Sequence, residues 1–309
     1  MFINIGLLSR CNLKCKFCYC KQDKPHDLHE LINAPDKIVQ CIIDNNICCD
    51  HWDIGIVGGE IFMDGLSDSV FEQYDRLLTS LQHKLLQLNP KATFQLHCYS
   101  NGVYYKIDRV IDFLRRWNSE IVLSYDSVYR FQNEKQKQLM LDNMKLFKHC
   151  QINIRPTVVL FKEQDTNEQF LDSDVFRQIY DTTGIEYQLC IPNMFNFTPQ
   201  MIAQFYINAI YKGLTQIENV RVLLDAFTEK HVERVCKRSI TYYEDQVYLG
   251  CHYIKSDFTN LRYRILDRFG CLTCDYFAKC PSLCWVESSQ FDTHYCVNKA
   301  VFDHLTNNS

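Results

Sequence analysis

Apolar and polar positions alternate in two rhythms along this chain. Phe2 to Leu8 is a short apolar run that predicts a strand. Pro35 to Asn45 places Ile38, Val39, Ile42 and Ile43 on one helical face, with Pro35 in the first turn. Trp52 to Val57 predicts a strand that ends in Gly58-Gly59-Glu60. Val70 to Leu88 predicts a long helix, with Val70, Phe71, Tyr74, Leu77, Leu78, Leu81, Leu85 and Leu88 at helical spacing. Thr93 to Tyr99 predicts a strand stopping at the turn Ser100-Asn101-Gly102. The alternation continues through a helix marked by Ile107 to Trp117, a strand at Glu120 to Tyr125 and a helix over Leu139 to Phe147. A strand at Gln151 to Phe161, a helix at Phe170 to Tyr180, a strand at Glu186 to Ile191 and a helix at Pro199 to Tyr211 follow. Pro156 lacks a ladder N–H and predicts an edge or a bulge in its strand.

Six β/α units in a row predict a parallel sheet with helices packed outside it. Right-handed crossovers curl such a sheet, and six units fall short of the eight that close a barrel, so an open barrel is expected. Chemistry in such folds sits at the C-terminal ends of the strands. The rhythm ends after residue 228. Beyond it come seven cysteines from Cys236 to Cys296, a hairpin over Ile240 to Leu249 turning at Glu244-Asp245, and little long helix. The expected organisation is therefore an α/β domain over 1–228 and a small cysteine-rich domain over 229–309.

The chain has 309 residues and 17 cysteines. A chain of this length buries a large core without disulfide staples. A net charge of −4 gives no electrostatic reason to expect nucleic acid or an anionic membrane as partner. The first residues lack the positive segment and long apolar run of an export signal, and no stretch approaches the roughly 18 apolar residues of a membrane helix. A cytoplasmic setting is expected, where many cysteines point to metal or redox chemistry before disulfides.

Three thiols, Cys11, Cys15 and Cys18, lie within eight residues directly after the first strand. Such a loop can offer one thiolate to each of three irons of a cubane, leaving the fourth iron open to substrate or cofactor, with Cys20 as a nearby candidate. The alternative is a set of buried or zinc-binding thiols, although structural zinc prefers four ligands in two pairs. This Cys-x3-Cys-x2-Cys loop, with the aromatic Phe17 before the last cysteine, resembles that of the radical S-adenosylmethionine (SAM) superfamily. The resemblance implies a partial (β/α)6 barrel. It also implies a 4Fe–4S cluster on Cys11, Cys15 and Cys18, whose open iron SAM chelates, and reductive cleavage of SAM to a 5′-deoxyadenosyl radical that takes a substrate hydrogen.

Other positions follow the resemblance. Gly58, Gly59 and Glu60 resemble the GGE motif that holds the SAM amino group; two glycines allow close backbone approach and a carboxylate suits an ammonium. Asn101 lies in a turn resembling the family's SNG turn. Ser124, with Tyr125 and Asp126, resembles the segment whose serine contacts SAM, and Arg155 is expected to pair with the SAM carboxylate.

The later cysteines read Cys271-x2-Cys274-x5-Cys280-x3-Cys284, preceded by Cys236 and Cys251 and followed by Cys296. They resemble the SPASM extension of radical SAM enzymes that modify peptides and proteins. The resemblance implies one auxiliary 4Fe–4S cluster on Cys271, Cys274, Cys280 and Cys296, and a second on Cys236, Cys251 and Cys284. Three clusters are then expected in all; one or two structural zincs are the alternative. Two positions depart from the family. Gln246 stands where a glycine is expected, and His252 follows Cys251 where sulfatase maturases carry an aspartate thought to act as base. His252 can accept a proton in its place, and sulfatase maturation becomes a weaker expectation. Cys20, Cys41, Cys48, Cys49, Cys98, Cys150 and Cys190 are left without a cluster role, several of them in apolar elements as small core residues.

The leading expectation is maturation of a ribosomally made peptide through a crosslink, a thioether or an epimerisation. Little chain precedes the first cysteine loop, so the peptide is expected to be recognised by the barrel, by the C-terminal region or by a separate leader-binding protein. A flavodoxin or ferredoxin is the expected reductant. Dehydrogenation of a small molecule, or sulfatase-maturase-like oxidation, is the second expectation. An iron–sulfur electron carrier or a zinc-stabilised binding protein is the third.

Overall fold

A computed structural model describes residues 1–8, 10–15, 18, 28–125, 130–159, 174–190, 198–228, 239–243, 245–250, 269–281 and 295–308. The order begins β1 (Phe2–Leu8), α1 (Ala34–Asp44), β2 (His51–Gly58), α2 (Asp68–Leu88), β3 (Thr93–Ser100), α3 (Ile107–Arg116), β4 (Glu120–Tyr125), α4 (Glu134–His149). It continues with β5 (Asn153–Val159), α5 (Asp174–Thr183), β6 (Gln188–Cys190), α6 (Pro199–Tyr211), α7 (Glu218–Phe227), β7 (Ser239–Tyr243), β8 (Gln246–Gly250) and α8 (Val297–Asn308). The chain forms two compact units, 1–155 with 238–255, and 156–237 with 256–309. No helix among the described residues is long and apolar enough to cross a membrane.

In the first unit β1, β2, β3 and β4 pair in parallel, each with the next. The expected hairpin forms from β7 and β8, and β7 runs parallel to β1 on the side away from β2. Its turn uses Asp245 at φ 57, a left-handed conformation that Asp tolerates better than most residues. Lys37 Nζ lies 2.6 Å from the Asp245 carboxylate, and the Tyr242 hydroxyl donates to it at 3.0 Å.

Strand residues alternate between faces. The register puts Ile3, Ile5, Ile54, Ile56, Leu96, Cys98, Ile121 and Leu123 on one face, all buried. The helices bury matching stripes, Ile38 and Ile42 in α1, Leu77, Leu81 and Leu85 in α2, Val110 and Leu114 in α3, and Met140 and Met144 in α4. The opposite face carries Asn4, Asp53, Gln95, His97, Tyr99, Glu120 and Ser124. Asn133 starts α4 by accepting from the Gln136 N–H at 3.1 Å, and the Gln136 side chain accepts from the Gln132 N–H at 2.8 Å.

In the second unit β5 pairs with β6 in parallel, from Thr157–Gln188 to Val159–Cys190. Pro156 stands one residue before that ladder, where β6 asks no N–H of it. Thr198 caps α6 by accepting from the Met201 N–H at 3.2 Å, with Pro199 in the first turn. Among the described residues, two α-helices go beyond the expected elements, α7 and α8. The apolar stripe of α8 is short, Val297, Val301 and Phe302, and is diluted by Asn298, Lys299, Asp303, Asn307 and Asn308, so the sequence pattern does not announce it.

Candidate functional site

The parallel strands of the first unit bring the ends of β1, β2 and β3 together, and the loop of three cysteines follows β1. Cys11 and Cys15 are half-buried and Cys18 is exposed. Leu13 between them is fully buried and anchors the loop. The Cys18 N–H donates to the Cys15 carbonyl at 3.1 Å, and the Glu60 N–H donates to the Arg10 carbonyl at 2.8 Å, which ties the loop to the end of β2. Asn12 donates from Nδ2 to the Val103 carbonyl at 2.5 Å. Asn101 donates from its own Nδ2 to Asn12 Oδ1 at 2.8 Å, with Cys11 Sγ 3.6 Å away.

Glu60 is fully buried, and both carboxylate oxygens are used. Oε1 accepts from the Ser100 hydroxyl at 2.9 Å and the Phe62 N–H at 3.0 Å, and Oε2 accepts from the Asn101 N–H at 2.6 Å. The carboxylate thus bolts the Gly58-Gly59-Glu60 turn to the Ser100-Asn101-Gly102 turn. Gly102 has φ 73 and is followed by backbone that Asn143 of α4 holds through the Gly102 and Tyr104 carbonyls, at 2.9 and 2.8 Å.

Burial pushes the Glu60 carboxyl up to about 7, outweighing its three donors and the nearby charge of Arg130. Burial also pushes the Cys11 thiol up to about 11; the Leu13 N–H opposes this, and Glu60, Cys15 and Cys18 add to it. The three thiols therefore share one electrostatic neighbourhood. A thiol at about 11 is protonated near neutral pH, and a metal would displace that proton on binding. Thiolates are soft donors suited to iron–sulfur clusters or zinc. Among the described residues, no three His, Cys, Asp or Glu side chains stand in metal-holding geometry. The donor chemistry and shared neighbourhood fit a three-thiolate cluster, while the sulfurs do not stand at ligand spacing.

The second set behaves alike. Gly270 at φ 60 leads into a 3₁₀ turn over Cys271–Thr273, closed by the Cys274 N–H on the Cys271 carbonyl at 3.2 Å. Cys280 donates its N–H to the Tyr276 carbonyl at 2.8 Å, and Cys296 immediately precedes α8. Burial raises Cys271 to about 11, with Cys296, Cys280 and Cys274 adding in that order. Four of the expected ligands thus act on one another within the second unit.

Gly58 pairs in register with Leu8 at the end of β2, and Gly59 follows it. Ser124 is the half-buried penultimate residue of β4. Arg155 is placed apart from these. Its guanidinium lies 3.1 Å from Glu120 Oε2, at the start of β4. His97 pairs with Glu120 in register and Ser100 with Leu123, so Glu120 sits three rungs, ~10 Å, back from the strand end. His97 bridges this group, with Nδ1 2.8 Å from Glu120 and Nε2 3.2 Å from Asp53. Phe17, Cys20, Asp126, Cys236, Cys251, His252 and Cys284 lie outside the described residues.

Sequence reasoning missed Asn12, Asn143 and Arg130, whose carbonyl lies 3.9 Å from Cys15 Sγ. It also missed the Asp53, His97 and Glu120 group. The alternation Gln95, His97, Tyr99 was a usable signal for that polar face; the asparagines carry none.

No family model and no curated protein matches the chain. Solved structures do. Native anSMEcpe with bound AdoMet is similar over 99% of this chain and 97% of its own, with TM-score 0.69 and 15% identity. A polyhistidine-tagged anSMEcpe with bound AdoMet matches 100% of this chain and 97% of its own, with TM-score 0.67 and 16% identity. Streptococcus suis SuiB bound to precursor peptide SuiA matches 95% of this chain and 73% of its own, with TM-score 0.54 and 12% identity. At these identities the likeness shows the fold alone: an α/β architecture with a mixed sheet flanked by helices.

Proposed function

We propose that this chain is a radical SAM enzyme with a SPASM extension over 229–309, acting on a ribosomally made peptide. One observation carries the reading. The loop of Cys11, Cys15 and Cys18 leaves β1 beside the Glu60 and Asn101 turns and is hydrogen-bonded to both. The peptide substrate is supported by the likeness to SuiB, which is solved with its precursor peptide.

In this reading Cys11, Cys15 and Cys18 hold a 4Fe–4S cluster, and the turn of Gly58, Gly59 and Glu60 lies where SAM binds. When bound, cluster and SAM supply one-electron chemistry that yields a hydrogen-abstracting radical. The chain's own residues prepare the place. Leu13 packs the loop inward, Asn12 and Asn101 fix its course beside Cys11, and Glu60 holds two turns in register. Glu60 accepts three hydrogen bonds from the protein, which leaves its carboxylate an acceptor site for the SAM ammonium, and the backbone of its turn and Ser124 serve the same cofactor. Arg155 would have to leave Glu120 to reach a SAM carboxylate. Cys271, Cys274, Cys280 and Cys296 hold one auxiliary cluster, and Cys236, Cys251 and Cys284 the other, with His252 as base. A flavodoxin or ferredoxin supplies electrons.

Anaerobically reconstituted protein, incubated with reductant, SAM and candidate precursor peptides, is expected to form 5′-deoxyadenosine and change peptide mass or stereochemistry. A small molecule that loses two hydrogens while every peptide stays unchanged would remove the peptide assignment. No deoxyadenosine under any condition would remove SAM chemistry altogether.

A further inference from the structure

α8 begins one residue after Cys296. Val301 and Phe302 are fully buried and Val297 is nearly so. The Phe302 ring meets Tyr276 edge-on at 5.1 Å and Phe227 at 6.0 Å. Further along, His304 Nε2 lies 3.0 Å from the Tyr211 hydroxyl of α6. These contacts fix the rotation of the helix about its axis, and with it the direction of its first turn.

Cys296 occupies the N-cap position, its carbonyl accepting from the Ala300 N–H at 3.0 Å; burial raises its thiol, and the nearby backbone N–H groups of Lys299 and Asn298 oppose that. Asn298 is a polar residue only 4% exposed, and its Nδ2 lies 3.3 Å from Cys280 Sγ. The first turn of the helix therefore brings the Asn298 carboxamide N–H to one sulfur of the four-cysteine set, beside a second, Cys296, at its N-cap. A buried carboxamide left without a partner is costly, and the Cys280 sulfur meets that demand.

We propose that Asn298 is a positioning residue for a cluster on Cys271, Cys274, Cys280 and Cys296, and that its N–H bond to Cys280 holds that cluster at a raised reduction potential. The inference rests on the assignment of those four cysteines as cluster ligands. Reduction adds negative charge that spreads over the sulfurs, so an N–H donor stabilises the reduced state more than the oxidised one. Burial keeps water from competing for that bond and strengthens it.

The test is an EPR-monitored redox titration of the full, anaerobically reconstituted chain. Asn298→Leu keeps the shape without the donor, and Asn298→Asp keeps the shape with an acceptor in its place. Both are expected to hold wild-type iron and sulfide while one cluster midpoint falls and the others stay. The expected shift is roughly tenfold in the reduction equilibrium, about 59 mV for a one-electron couple. Asn298→Gln, which retains a donor, is expected to shift it less. Loaded Leu and Asp variants with every midpoint unchanged would overturn the role of Asn298 and leave the ligand assignment standing. A wild-type protein with only about four irons would instead overturn the ligand assignment. Independently of any variant, pulsed EPR of the wild type in D2O is expected to show an exchangeable proton coupled to this cluster, and its absence would overturn the bond.

Discussion

Asn101 donates its backbone N–H to Glu60 Oε2 at 2.6 Å, and this bond joins the ends of β2 and β3. The carboxyl group that accepts it is buried and shifted from 4.5 up to about 7. The folded state therefore holds this proton more tightly than the unfolded chain does. The associated stability is fully present below about pH 4.5 and is lost as pH rises through about 7. A gap of that size corresponds to on the order of 3 kcal/mol. In denaturant titrations of the metal-free protein across this range, wild type is expected to lose stability relative to Glu60→Gln as pH rises. Parallel pH profiles for the two proteins would show that Glu60 does not titrate as described.

Gly102→Ala is expected to cost about 1–2 kcal/mol for the left-handed backbone alone, since Gly102 has φ 73. An added Cβ would also stand 3.0 Å from Met140 Cγ and 3.2 Å from Leu123 Cδ2, tighter than usual contact. Gly65→Ala is the control, because nothing lies within 4 Å of its Cβ position. Urea midpoints check the pair; equal midpoints would mean that the turn relaxes freely.

The strands and helices of the β/α region were legible because each carries one strong period. Ile54 and Ile56 against Asp53 and Gly55 mark a strand, and the Leu77 to Leu85 stripe marks a helix. The first cysteine loop was legible because three thiols in eight residues have few structural explanations. What stayed hidden depends on long-range contact. Asn12 and Asn101 are separated by 89 positions and meet only when β1 and β3 flank β2. Asn298 gives no sign in sequence that it will be buried, and α8 lacks a stripe long enough to show. Arg155 illustrates the converse: its place on a strand was legible, but its partner Glu120, on another strand, was not.

His97 lies between Glu120 and Asp53, with side-chain exposure of 7% for His97 and Glu120 and 18% for Asp53. Removing the bridging ring leaves two carboxylates facing a gap. His97→Leu is expected to destabilise by about 3 kcal/mol, within the range for breaking a buried charged network. Arg155→Met should cost less, roughly 1 kcal/mol or under, because Arg155 is 39% exposed. Thermal and denaturant unfolding of both variants, with the double variant to read their coupling, decides this. A neutral His97→Leu would mean that solvent already screens the group.

Replacing Cys11, Cys15 and Cys18 together with alanine separates the two cysteine sets. Cys11, Cys15 and Cys18 belong to one compact unit and Cys271, Cys274, Cys280 and Cys296 to the other, and sites that share no partners respond independently. The triple variant is expected to lose about four irons and all deoxyadenosine formation, while the EPR signals from the later cysteines persist. Cys271→Ala with Cys274→Ala should do the reverse, keeping the SAM-dependent change in the first cluster's EPR signal and losing iron elsewhere. Binding of SAM, followed by that spectral change, distinguishes the sites without relying on turnover. If the triple variant kept its full iron and its response to SAM, Cys11, Cys15 and Cys18 would not be the ligands.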